Sequence, residues 1–558
     1  MISGKLITRN YSQFRGLDLS NRKDEVNIYR SPDAVNMWRN YKNSNGKCIE
    51  TRPDVELLKK YSNTIFGLFF YNNHKIVHSG TKLYDEDTEI YSNMAEHQSK
   101  FFVFNKTLYI KDGTHYLSYN GVTCSPVQGY IPTTTISRSP SGGGTPYEDV
   151  NLLSDYRKNS FVGDGSSTEY YLSAQNLDDE TPRAWVNGAE IGDFTYDKTV
   201  GKVTFTTAPS EPYTVGEDNV IIQFKKTEAG YKDKILKCTL LEMFDNRVFF
   251  SGNADYPNVL WHCSLNDPTY CSDLDYYEEG VDDAPVKSIV AGNNAIWVMK
   301  APSQTNTTIF YHNPTIDSEY GKIYPSSHSS ISTGCRTTGI NFNDTICFYS
   351  ENGLEAISSD VTTEQVITHK NSLVDSKLLN ETEYDNMRLE EWQGYLLTIV
   401  GKKIYLADSR QFSQINDHYE YEWFYFEMDK PITNSIVKDG VLYLCFDDEI
   451  YTLTNFGDRT VNAYWTTIDD EFGYPQYQKT TNKKGCVVDI EGKEVDIYAK
   501  ITGKEFEKVN TYKNVKGYVV PRIKKKKWKA IQLKFASKYP FGLYSSTLEA
   551  YVGSYVKR

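Results

Sequence analysis

Along most of this chain apolar residues alternate with polar ones in short runs, and the runs come in pairs separated by two turn-forming residues. That periodicity, with β-branched and aromatic residues at the apolar positions, is the pattern of β-hairpins. Candidate hairpin units fall at 64–85, 100–121, 240–252, 286–300, 336–358, 386–408 and 432–454. At their reversals stand Asn-Asn, Asn-Lys, Asp-Asn, Gly-Asn, Asn-Asp, Gln-Gly and Asp-Gly, residues that accept positive φ. Small antiparallel sheets in series protect their edges as blades around an axis. The pattern therefore predicts an all-β chain with a β-propeller-like platform of roughly six to eight blades, and very little helix.

Two stretches interrupt the series. Residues 130–159 contain Thr133-Thr134-Thr135 and Ser139-Pro140-Ser141-Gly142-Gly143-Gly144, and read as a Gly/Ser/Pro-rich loop. Residues 160–226 alternate again, with Asn187-Gly188 and Gly201 at reversals, and predict an inserted β-sandwich. The stretch "NSFVGDGSSTEYYL" places Gly163, Asp164 and Gly165 before serines and a threonine. A phosphate loop would open a helix and a calcium loop would alternate acidic residues, whereas this one runs into strand-like sequence. It reads as the entry corner of the insertion. The expected organisation is an extended N-terminal segment joining the platform (1–63), first blades (64–129), the loop (130–159), the insertion (160–226), remaining blades (227–455) and a C-terminal β unit (456–558).

Composition refines this picture. The chain has 558 residues, 44 of them Tyr, which favours wet, tyrosine-rich strands. A net charge of −12 argues against tight sequence-independent binding to nucleic acid, which needs a basic footprint. The longest apolar run, near 65–71, is far short of a membrane helix, and MISGKLITRN lacks the apolar core of a signal peptide. Nine cysteines without a C-x-x-C pair predict reduced, buried thiols, even for the closest pair, Cys263 and Cys271.

Candidate chemistry is sparse. His74 and His78 have a spacing that suits zinc on a helix, but in a strand that step spans about 13 Å, too far for one ion. The acidic run from Asp273 through Asp275 to Asp283 has the carboxylates for calcium or glycoside chemistry, yet no second cluster accompanies it, and it reads as a solvated loop. Neither the G-x-S-x-G elbow nor the phosphate-loop motif is present, nor is the aspartate box of enzymatic propellers. Arg522, Lys524 to Lys527 and Lys529 surround Trp528; they read as the charged guard of a strand edge, with nucleic-acid contact as the alternative. The sequence thus predicts no catalytic, metal or cofactor site, and a protein that is not an enzyme.

The stretch "RSPDAVNMWRNYKNSNGKCIETRPDVELL" (30–58) combines Ser31-Pro32, Asn36-Met37, Gly46 and Thr51-Arg52-Pro53. It resembles the opening of tailed-bacteriophage virion proteins, the packaged-DNA stabilisation and tubular tail (nozzle) proteins. Segments 130–165 and 249–273 resemble that group as well, so the likeness covers most of the chain up to about Lys300. The resemblance implies a propeller-like platform carrying inserted β domains. It further implies a homo-oligomeric ring of six or twelve copies at the head-to-tail junction. Such a ring is made in the host bacterial cytoplasm, contacts portal or adaptor and other tail proteins, and touches packaged DNA transiently, without membrane insertion. Gly46, Arg52 and Pro53 carry over as structural positions only. From a different class, the tyrosines and tryptophans also suit a carbohydrate-binding propeller used in host attachment.

Overall fold

The structure is a computed structural model that describes residues 4–42, 48–305, 307–318, 321–329, 331–357, 367–383, 386–415, 418–454 and 460–555. Gly46 lies outside the described residues. Among the described residues the α-helices are two short ones, Tyr231–Leu236 and Asp375–Leu378, strands make up nearly all the other regular structure, and the fold is all-β and propeller-like.

Seven four-strand sets follow one another, and each begins in one of the seven hairpins legible in the sequence. Six run consecutively over 65–91, 100–126, 240–278, 286–328, 340–369 and 388–427. The seventh takes three strands from 434–454 and its fourth, Asp54–Lys60, from the start of the chain. Every first hairpin turns on two residues of positive φ, such as Asn72 and Asn73 at 49° and 67°, or Asp439 and Gly440 at 52° and 76°. Such turns carry the twist that antiparallel strands require. In the fourth sheet the reversal is Asn293-Asn294, one residue later than the Gly-Asn expected. Second strands such as Ala295–Lys300 and Tyr395–Val400 are buried along both faces, as expected of strands covered by sheets on either side.

The chain divides into two compact units, 1–70 with 335–558, and 71–334. In the first, the N-terminal segment is not simply extended. Leu6–Tyr11 pairs with Phe541–Tyr555, Ala34–Val35 with Ala463–Thr466, and Ile49–Thr51 with both Met37–Trp38 and Phe541–Tyr555. Met37 also pairs with Tyr425 in the sixth sheet. The C-terminal strands, including the 25-residue Tyr477–Ile501, thus form one continuous sheet with the N terminus and the sixth four-strand set, and not a self-contained unit. Hydrogen bonding propagates the sheet wherever a free edge meets a partner, and the N-terminal strands supply those partners.

In the second unit, the insertion is a sandwich of a six-stranded and a three-stranded sheet around Phe161, Tyr170, Val203, Phe205, Val220, Ile222 and Phe224. Residues 130–159 differ from the loop expected: Thr133–Arg138, Thr145–Pro146 and Tyr156–Phe161 are strands of its larger sheet. The β-branched Thr133–Thr135 were masked by the flanking Gly and Pro residues. Between the last two of these strands, Asn151 donates to the carbonyls of Tyr130 and Thr269 and accepts from the N–H of Cys271. Leu152 and Leu153 then plug a core that contains Tyr116, Phe250 and Trp261.

Candidate functional site: a buried polar junction

Within the first unit, Ser31, Asn36, Thr51 and Arg52 of the 30–58 stretch gather at one junction. Asn36 takes φ 58°, a conformation that asparagine tolerates better than most residues, and this turns its side chain inward. Its Oδ1 accepts from Arg52 Nε at 2.9 Å and from the N–H of Glu427 at 2.8 Å. Its Nδ2 donates to the carbonyl of Asn462 at 2.8 Å. One amide therefore ties the entry of the seventh sheet's fourth strand, the end of the sixth sheet and the first residues of the C-terminal strands. Arg52 also donates to the carbonyls of Pro53 and Glu427. Burial lowers its pKa to about 10, against the pull of Asp54 and Asp429.

Two further contacts lock the same segment. Ser31 Oγ donates to the carbonyl of Thr466, and Thr51 Oγ1 bridges the N–H and carbonyl of Phe541. Arg30 forms a two-pronged ion pair with Glu422, both buried. A cleft of about 380 Å³ opens beside Asn36, Arg52, Asp54, Lys402 and Glu427. On its wall, the Asn36 and Arg52 side chains are engaged with each other and with backbone groups, so they fix geometry and hold strands together.

The other sequence candidates are dispersed. His74 is exposed beside Asp85, whereas His78 is buried, meeting Ser99 Oγ at 2.7 Å and the Gly80 carbonyl at 2.8 Å. Burial lowers the His78 pKa to about 4. Among the described residues no group of three or more His, Cys, Asp or Glu side chains is placed to share a metal ion.

Gly163 to Gly165 is not the entry corner of the insertion. It follows Tyr156–Phe161 and carries the chain from the larger sheet of the sandwich to the smaller. Asp164 accepts from the Ser167 hydroxyl and from the N–H groups of Ser167 and Ser166, which hold its carboxyl well below the usual range. The Gly163 N–H donates to Asn219 Oδ1 at 2.8 Å, and a Cβ there would meet the Ser210 carbonyl.

The acidic run is only partly a solvated loop. Glu279 is buried against His312, with Oε1 to Nε2 at 2.7 Å, and Ser326 Oγ donates to its other oxygen. Burial raises the Asp275 carboxyl to about 6, helped by Asp149 and Asp273 and opposed by Arg247. These pairings join residues far apart in sequence, so no local motif announced them. The lysine run is irregular but lies along Tyr477–Ile501: Trp528 exchanges both backbone hydrogen bonds with Lys479, Trp528 and Ile523 are buried anchors, Lys525 pairs with Glu507, and Lys524, Lys526 and Lys527 remain exposed. Cys263 and Cys271 form a disulfide, correcting the expectation of reduced thiols there. The loop between them folds back, Ser264 N–H donating to the carbonyl of Tyr270.

The sequence matches no family model, and no curated protein resembles it significantly. Similar solved structures include BamB from Moraxella catarrhalis, at 8% identity and TM-score 0.31, covering 74% of this chain and 99% of that one. An exo-β-1,3-galactanase from Phanerochaete chrysosporium is 8% identical, with TM-score 0.20, and covers 82% of this chain and 96% of its own. A family 43 arabinoxylan arabinofuranohydrolase from Bacillus subtilis, at 8% identity and TM-score 0.21, covers 89% and 97%. Because glycoside hydrolases stand among these structures, the expectation that the chain is not an enzyme is withdrawn. Likeness at these scores assigns no reaction to the chain.

Proposed function

We propose that the chain is a structural protein of a bacteriophage virion, a subunit of the tail nozzle or head-to-tail connector that extends the portal channel and helps retain packaged DNA. The observation that carries this reading is the double part played by residues 30–58. They hold the motif that resembles the opening of that group, and they form the junction through which Asn36 and Arg52 join the sixth sheet at Glu427 to the start of the C-terminal strands at Asn462.

In this reading about six or twelve copies close into a ring, each using the same pair of surfaces. Portal or adaptor and other tail proteins dock on the ring. Packaged DNA makes only transient contact, because an acidic chain with net charge −12 repels a polyanion that a basic wall would hold. Quantitative mass spectrometry of purified particles tests the proposal. A copy number near that of the portal subunit, or half of it, is the expected result, and absence from the particles refutes it.

A further inference from the structure

A second cleft, of about 410 Å³, lies where the insertion leaves the second and third sheets. Its size suits a small-molecule ligand. The half-buried apolar residues Val127, Ile131 and Leu236 form part of its wall. Polar groups on its lining include His115, Asp155 and Lys232.

His115 is held as an oriented imidazole. Asp112 is buried at 1% exposure and accepts from the N–H groups of Ala95, Thr114 and His115. Burial opposes its ionised form, but these donors and the imidazole outweigh burial and keep its carboxyl below the usual range. An ionised Asp112 takes a hydrogen from Nδ1 at 2.9 Å, which in the neutral ring leaves Nε2 as the acceptor. Nε2 has no hydrogen-bond partner among the described residues. A carboxylate that fixes a histidine's tautomer is an arrangement found where the other nitrogen has work to do.

Charge narrows the ligand class. Lys232 Nζ pairs with Asp155 at 2.6 Å, so the opposite charges on the lining are matched, while the Asp112 carboxylate behind it is satisfied by the N–H groups of Ala95, Thr114 and His115 and by the imidazole. An apolar wall beside a matched ion pair and the acceptor nitrogen of an oriented imidazole fits a neutral, hydroxyl-rich ring. We propose that this cleft binds a neutral saccharide unit, whose hydroxyl donates to His115 Nε2 while its apolar ring face lies against Val127 and Ile131. This adds a ligand-binding activity to the structural reading above, and stands without it.

Saturation-transfer NMR on the full chain with lactose, maltose and chitobiose, each at about 10 mM, tests the proposal. At least one should receive saturation from the wild type. His115→Ala should weaken that sugar's binding by at least about tenfold. Thr114→Trp, at an exposed position on the cleft, should abolish it, with thermal unfolding of both variants matching the wild type. Gln128→Trp serves as a second blocking variant should Thr114→Trp unfold. No transfer to any of the three sugars, equal transfer in wild type and folded variants, or preference for glucuronate or glucose 6-phosphate over the neutral sugars would overturn it.

Discussion

Arg30 and Glu422, 392 residues apart in sequence, meet in a buried two-pronged ion pair with N–O distances of 3.1 and 3.0 Å. Removing one partner leaves the other charge buried without this counter-ion. Arg30→Ala should therefore destabilise the first unit by about 3–5 kcal/mol, while replacing both by apolar residues of similar size should cost much less. Denaturant unfolding of the two variants measures the difference.

A plug at the root of the insertion makes a second prediction. Leu152 is 1% exposed among Tyr116, Phe250 and Trp261, yet it belongs to a segment between two strands of the insertion. Leu152→Ala should cost about 2–5 kcal/mol through lost burial and the cavity left behind. The loss should appear in hydrogen exchange of the strands Tyr116–Tyr119 and Arg247–Ser251, and much less in the sandwich core around Phe205.

These two sites mark where the sequence was silent. The seven hairpins were legible because each turn is local: Asn, Asp and Gly at positive φ announce themselves in two residues. The pairing of Leu6–Tyr11 with Phe541–Tyr555, or of Asp54–Lys60 with Glu449–Thr454, has no local signature, since a strand does not name its partner. Likewise Asn36 and Arg52 stood out only through resemblance. Asp112 and His115 passed unnoticed although three residues apart, because nothing in their spacing shows that the carboxylate is buried and the imidazole borders a cleft.

Acid should destabilise the chain through His78. Its pKa is about 4 in the folded state, below the ordinary 6.5, so between these values the unfolded chain binds the proton more readily. Stability is then complete above about pH 6.5 and falls by about 2–3 kcal/mol as pH drops to about 4. Buried His262, also lowered to about 4, acts in the same direction. His78→Gln should flatten part of this slope, as read from denaturant midpoints across that window.

Asp275 acts in the opposite sense. Its carboxyl is raised from 3.8 to about 6, so the folded state holds the proton more tightly and stability falls as pH rises from about 4 to about 6. Asp275→Asn removes this burden and should stabilise the second unit at pH 7 by about 1 kcal/mol, discounted for the part of the side chain that reaches solvent. The gain should vanish below about pH 4, and thermal melts at the two pH values would show it.

Electron cryo-microscopy of intact virions tests the central claim most directly. The account predicts a closed ring of this chain around the DNA exit channel, adjoining the portal, with the propeller-like sheets and the inserted sandwich recognisable in each subunit. Particles in which the chain forms separate fibres on the capsid, with no copy encircling the channel, would contradict it.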